Sequence, residues 1–170
     1  TFSTVRRIIR SDNMNYNTEI LSPTDENIEK AGRLLRSGEV VGIPTETVYG
    51  LAADATNPDA VSKIFVAKGR PQDNPLIVHI ADKDDIEKYA HDIPEIAYRI
   101  ADKFWPGPLT MVLPKSETLG PVVTAGLKTV GIRLPQNPDA RRLIRESGCP
   151  IAAPSGNLSG LPSPTKAQHM

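Results

Sequence analysis

Lys68-Gly69-Arg70-Pro71-Gln72-Asp73-Asn74-Pro75-Leu76 sets two cations beside a glycine and then stiffens a polar loop with two prolines. Pro71 and Pro75 fix φ and bias Arg70 and Asn74 away from helix, so the loop is held extended. Such a loop, ahead of the apolar run Leu76-Ile77-Val78, suits phosphates or carboxylates. An isolated Lys-x-Arg is more often a solvated turn, so the remaining polar residues must be weighed with it.

His79 sits inside the β-rich apolar run Leu76–Ile80, where an imidazole is more often a satisfied core group than a ligand. Arg133 falls on the opposite side of its segment from Val130, Ile132 and Leu134, either toward a site or paired with a surface acid. Ser155 and Asn157, in Pro154-Ser155-Gly156-Asn157, make either ligand contacts or the local bonds common in turns. No Ser/His/Asp order suggests a hydrolase, and no His-x-x-x-His pair suggests a metal. The Walker-type phosphate loop and Gly-x-Gly-x-x-Gly are also missing.

The elements that must position these residues alternate. A helix is predicted over about Pro23–Arg36, with Ser22 as its cap, Pro23 at the first position and Gly38 at its end. Val40–Ile43 is a buried strand stopped by Pro44, and Thr45-Glu46-Thr47 follows as a polar loop. A second helix starts at Asn57-Pro58 and delivers Lys68 at its end; the strand Leu76–Ile80 comes after the basic loop. Pro94 opens a helix with Ile96, Ala97, Ile100 and Phe104 on one face, before a strand at Leu109–Leu113. Val130–Leu134 is a strand, Asn137-Pro138 starts a helix ended by Gly148, and Ile151–Ala153 is a strand. The pattern predicts an α/β fold with a mixed sheet, helices packed on it and a polar, locally basic cleft. Polar loops after strands collect ligands at the carboxyl ends of open sheets, which groups Thr45–Thr47 with Ser155–Asn157.

The whole chain bounds the function. Its 170 residues suffice for one domain with a real core. Lys+Arg and Asp+Glu are both 20, so bulk electrostatic grip on nucleic acid is disfavoured. One cysteine, Cys149, permits no internal disulfide and suits a reducing cytoplasm. No apolar run approaches the roughly 20 residues of a membrane helix. Residues 1–13 carry Arg6, Arg7 and Arg10 with no acid before Asp12, reading as a transit peptide or as leader or disordered residues before a start at Met14; they are set aside from the fold. Ser163-Pro164-Thr165 repeats the helix-start grammar of Ser22-Pro23-Thr24, yet the chain stops at Met170.

Several longer segments carry a resemblance. Pro44-Thr45-Glu46-Thr47-Val48-Tyr49-Gly50-Leu51, Lys68-Gly69-Arg70-Pro71 with Asn74-Pro75-Leu76, and Trp105-Pro106-Gly107-Pro108-Leu109-Thr110 resemble the YrdC-like threonylcarbamoyl-AMP synthase family. Thr129-Val130-Gly131-Ile132-Arg133-Leu134-Pro135 and Ala153-Pro154-Ser155-Gly156-Asn157-Leu158-Ser159-Gly160 continue it, in order, from about Ile20 to Met170.

The resemblance implies a twisted sheet with a concave basic face, and a domain over 14–170 that is truncated at its C-terminus relative to the family. It implies synthesis of threonylcarbamoyl-AMP from L-threonine, bicarbonate and ATP, with Mg2+ arriving on ATP and no tightly bound organic cofactor. Transferase proteins would then pass the group to tRNA beside the anticodon, with at most a weak tRNA contact by this chain and no membrane partner. The catalytic cations fall on Lys68 and Arg70. Nucleotide contacts fall on Arg70, Asn74, Thr129, Ser155, Asn157 and Ser163, and threonine contacts on Thr47, His79, Arg133 and Ala153. The competing expectations are a double-stranded RNA or tRNA binding module and a carbamoyl-adenylate former serving hydrogenase maturation.

Overall fold

The computed structural model describes residues 2–6, 17–69 and 71–170. Two strands that the sequence did not announce lie at one end of the sheet: β1 (Phe2–Arg6) and β2 (Asn17–Leu21). Residues 2–6, set aside above as leader, therefore pair on both sides, with β2 and with β3 (Val40–Ile43). Met14, the expected start, lies outside the described residues.

The sheet continues through β4 (Gly50–Asp54), β8 (Ile151–Ala152), β5 (Ile77–His79), β7 (Thr129–Arg133) and β6 (Met111–Pro114), giving the order β2-β1-β3-β4-β8-β5-β7-β6. β5 and β7 run parallel, and the other neighbouring pairs are antiparallel. The mixed α/β sheet expected from the sequence is present. β4 escaped notice because Gly50, Ala52, Ala53 and Asp54 are weak strand formers; burial of its first four residues, rather than propensity, fixes it there.

Helix α1 (Asp25–Arg36) begins two residues later than the proline grammar suggested. Thr24, not Ser22, is its cap: extended Thr24 accepts from Asn27 N through Oγ1, while the Ser22 carbonyl takes the Asn27 side-chain amide. α2 (Pro58–Lys68) and α6 (Pro138–Ser147) start as expected, because Asn57 and Asn137 each accept two backbone N–H groups that the first turn leaves without partners.

The helices cover the sheet in two layers. On one face Val41, Ile43, Ala52 and Ile151 meet Ile28 and Leu35 of α1 and Leu143 of α6. On the other, Leu51, Val78 and Ile132 meet Val61, Ile64 and Phe65 of α2. Side chains such as Leu35 and Phe65, removed almost entirely from water, each contribute about 1.5–3 kcal/mol.

α4 (Glu95–Phe104) packs through part of the expected stripe: Ala97 and Ile100 face the core, but Ile96 and Phe104 do not. Ala97 and Ala101, four residues apart, are buried, whereas Ile96 and Phe104 are exposed. The small pair admits closer approach than the bulky residues allow, and the helix is turned accordingly. Short helices α3 (Ile86–Tyr89) and α5 (Pro121–Thr124) fill the connections. The Ser163-Pro164-Thr165 signal leads to no α-helix among the last residues; a single 3-10 turn spans Ala167–His169.

Candidate functional site

Strand register lays the candidate residues out in rows. Arg133 stands level with His79, and His79 with Ile151; one step away, Gly131 stands level with Ile77. These side chains share the face covered by α1 and α6, but Ile77 and Gly131 remain half-buried where the helices stop. Ala153 continues the ladder by donating its N–H to the Ile77 carbonyl at 3.2 Å. Two residues further, Thr129 is exposed at the start of β7, level by the same register with Pro75 and next to exposed Asn74.

The nucleus of one end is Lys68. It is the last residue of α2 and is 4% exposed. Gly69, at φ 59°, caps the helix in the left-handed conformation, which costs glycine little, and so turns the chain sharply after the lysine. Lys68 Nζ donates to the carbonyl oxygens of Ser155 and, at 2.6 Å, of Asn157. The Ser159 N–H returns to the Lys68 carbonyl at 3.1 Å. Asn157 is braced in turn: its side-chain amide donates to the carbonyls of Leu158 and Leu161, and its Oδ1 accepts from Ser163 Oγ at 3.4 Å.

Gly50, at the start of β4, and Ser155 form a bridge that ties the 154–157 loop to this strand. A Cβ on Gly50 would stand 3.2 Å from the Pro154 carbonyl oxygen, so a side chain there would press on this loop. Tyr49 N donates to Pro164 O at 2.8 Å, tying the last residues to the same place.

The other end is built around Arg133 and His79. The Arg133 guanidinium donates through Nη2 to Glu46 Oε1, and Glu46 Oε2 accepts from Gln136 N at 3.2 Å. Of Arg133's two open readings, the pairing with an acid is present, but the acid is not on an open surface: the two side chains are 11% and 17% exposed. Glu46 sits on a turn held by Thr45, whose Oγ1 accepts from Thr47 N and Val48 N and donates to the Val48 carbonyl at 2.6 Å. Burial pushes the Glu46 carboxyl up, but its own backbone hydrogen bond and then the Arg133 guanidinium outweigh this, holding it below its ordinary value.

His79 is buried, and that desolvation, joined by the positive charge of Arg133, lowers its pKa to about 4. The ring is therefore neutral near pH 7. Its Nδ1 and the neighbouring Arg133 Nε are both buried without a hydrogen-bond partner. Native interiors rarely leave such atoms unpaired unless something else completes them.

Two clusters thus hold most of the expected residues: Lys68 with Ser155, Asn157 and Ser163, and Arg133 with His79 beside the Thr47 loop. Arg70 lies outside the described residues. Glu46 was quoted in a loop but given no part; a lone acid between threonines carries no signal of its distant partner. A cavity of about 230 Å³ lies elsewhere, lined by Ile80, Asp82, Tyr89, Arg145 and Cys149. Its charges satisfy one another, Arg145 with Asp82 and Lys88 with Asp85.

A family model described as "Telomere recombination" and spanning Sua5, YciO and YrdC proteins matches residues 33–170. The chain belongs to the Sua5–YciO–YrdC family. Within that family it is 60% identical over 154 residues to threonylcarbamoyl-AMP synthase of Bacillus subtilis, across 90% of this chain and 44% of the relative. The crystal structure of Pyrococcus abyssi Sua5 complexed with L-threonine shares the fold at a TM-score of 0.84 and 53% identity, over 89% of this chain and 44% of that one. Escherichia coli YciO is similar at a TM-score of 0.73 and 25% identity, over 82% of this chain and 68% of that one. The chain spans less than half the length of the Bacillus and Pyrococcus proteins.

Proposed function

We propose that this chain provides the domain that joins L-threonine, bicarbonate and ATP into threonylcarbamoyl-AMP with release of pyrophosphate. The observation that carries the reading is a pair of buried cations, Lys68 at the end of α2 donating to the Ser155 and Asn157 carbonyls, and Arg133 on β7 level with His79, whose Nδ1 has no hydrogen-bond partner. From the level of Arg133 to that of Thr129 is four residues of strand, roughly 13 Å. That span suits an amino acid at one end and a nucleotide phosphate at the other. The likeness to a Sua5 protein complexed with L-threonine supports threonine as the amino acid.

In this reading Arg133 holds the threonine carboxylate, with Thr47 and Ala153 flanking it. Neutral His79 can orient the amino acid but carries no charge to compete with it. The neutral threonine amine attacks CO2 derived from bicarbonate, forming an N-carboxylate and releasing a proton. A carboxylate oxygen then attacks the α-phosphorus, and the bond to pyrophosphate breaks. Lys68 and Arg70 offset the charge gathering on the phosphates; Asn74, Thr129, Ser155, Asn157 and Ser163 fix the nucleotide. Positioning and electrostatics supply the rate, with no covalent intermediate on the protein.

Mg2+ would enter with the nucleotide substrate and supply positive charge to its phosphates. Among the described residues no group of three or more His, Cys, Asp or Glu side chains converges, and no residue is assigned to the ion. The product serves transferase proteins that modify tRNA beside the anticodon, in the cytoplasm. Among the described residues no helix is long and apolar enough to cross a membrane.

The test is product identification. Incubation with labelled bicarbonate, ATP, Mg2+ and L-threonine should yield a labelled adenylate that requires every component. Label found only in bicarbonate, under conditions where the chain is folded, would overturn the assignment.

A further inference from the structure

Glu46 is the acid that the sequence left without a part, and its geometry is unusually committed. Both carboxylate oxygens are used: one accepts from Arg133 and the other from Gln136 N, just beyond β7. The carboxylate therefore clamps the exit of β7 to the loop after β3, and Thr45 holds that loop from beneath. The ion pair is largely removed from water, so a broken partner would leave a buried charge.

Arg133 is not exhausted by this bond. Its Nε is buried without a hydrogen-bond partner, as is Nδ1 of His79, which stands level with it on β5. A guanidinium recognises a carboxylate best when its plane is fixed before the ligand arrives. An arginine with Nη2 anchored on Glu46 meets that requirement. Because Glu46 carries a lowered pKa, it stays ionised through the neutral range and keeps the anchor.

We propose that Glu46 is a positioning residue for the amino-acid subsite: it fixes the plane of the Arg133 guanidinium, whose remaining N–H groups donate to the ligand carboxylate. This rests on the reading that Arg133 receives the threonine carboxylate. A competing role is physically distinct, since Glu46 could instead occupy the carboxylate's place and have to be displaced.

The experiment is calorimetric binding of L-threonine, L-threoninol (which lacks the carboxylate) and ATP to the 170-residue chain, for wild type, Glu46→Ala and Glu46→Gln. Glu46→Ala should weaken L-threonine at least tenfold and threoninol less than threefold, with ATP binding within twofold of wild type. Glu46→Gln, which keeps the shape and one acceptor oxygen, should fall between, and decides the matter if Glu46→Ala does not fold. Equal losses for threonine and threoninol, or a parallel loss of ATP binding, would mean a merely structural role and overturn the proposal. Unchanged or tighter threonine binding would also overturn it, the latter by showing competition. A wild-type chain that binds ATP but neither amino compound would instead overturn the functional reading, and the inference with it.

Discussion

Lys68 Nζ donates to the carbonyl oxygen of Asn157 at 2.6 Å, joining the end of α2 to a loop 89 residues later. With the Ser155 carbonyl as a second acceptor, the ammonium stabilises the backbone that would face the nucleotide. Stability and binding are therefore coupled at this residue. Lys68→Met keeps the stem volume but leaves two carbonyls short of a donor, a loss of about 2 kcal/mol for charge-assisted bonds. The melting temperature should fall by roughly 4–8 °C, measured by calorimetry. ATP affinity should fall alongside it; an unchanged melting temperature would mean that the loop does not depend on the lysine.

His79 gives stability a pH dependence of defined sign. Its folded pKa, about 4, lies below the ordinary histidine value, so between the two the unfolded chain binds the extra proton. Its contribution is complete above about pH 6.5 and is lost as pH falls toward 4. Urea unfolding should register a loss of about 2 kcal/mol from this group between pH 7.5 and 5. His79→Gln should flatten that slope, and an unaltered slope would assign the dependence to other groups.

Gly50 is required by packing rather than by backbone freedom. Its missing Cβ leaves room for the Pro154 carbonyl oxygen, and the Leu51 N–H donates to that oxygen at 2.9 Å. Gly50→Ala should push the 154–157 loop away from β4, costing about 1–3 kcal/mol as overpacking does. Nucleotide binding should weaken more than threonine binding, because the loop belongs to the Lys68 end. Equal weakening of both ligands would argue for a general loss of fold.

Cys149 should be a poor nucleophile. Burial above all pushes its thiol up to about 11, so the thiolate is scarce at neutral pH. Alkylation by iodoacetamide at pH 7.5 should be on the order of 100-fold slower than for the urea-unfolded chain. Comparable rates in the two states would contradict the assigned environment.

The sequence revealed elements whose ends carry chemistry of their own. Asn57-Pro58 and Asn137-Pro138 start helices by satisfying free N–H groups, and glycine at the other end stops them, so α2 and α6 were readable directly. On α4 the expected face was half right: Ala97 and Ile100 pack on the core, but Ile96 and Phe104 are exposed and the small Ala101 is buried instead. β1 was hidden by its arginine-rich surroundings, and β4 by residues with little preference for strands. At the site, alternation put Arg133 and Gly131 on one face, and the register agrees. The partnership of Arg133 with Glu46 was not readable, since it spans 87 residues and depends on how the loop after β3 folds over β7.

The most direct measurement is pyrophosphate release from ATP by the chain with bicarbonate and Mg2+, with and without L-threonine, beside Lys68→Ala and Arg70→Ala. The account predicts release that requires threonine and falls at least 100-fold in both variants. Release that proceeds equally without threonine, or that survives in both variants, would contradict it.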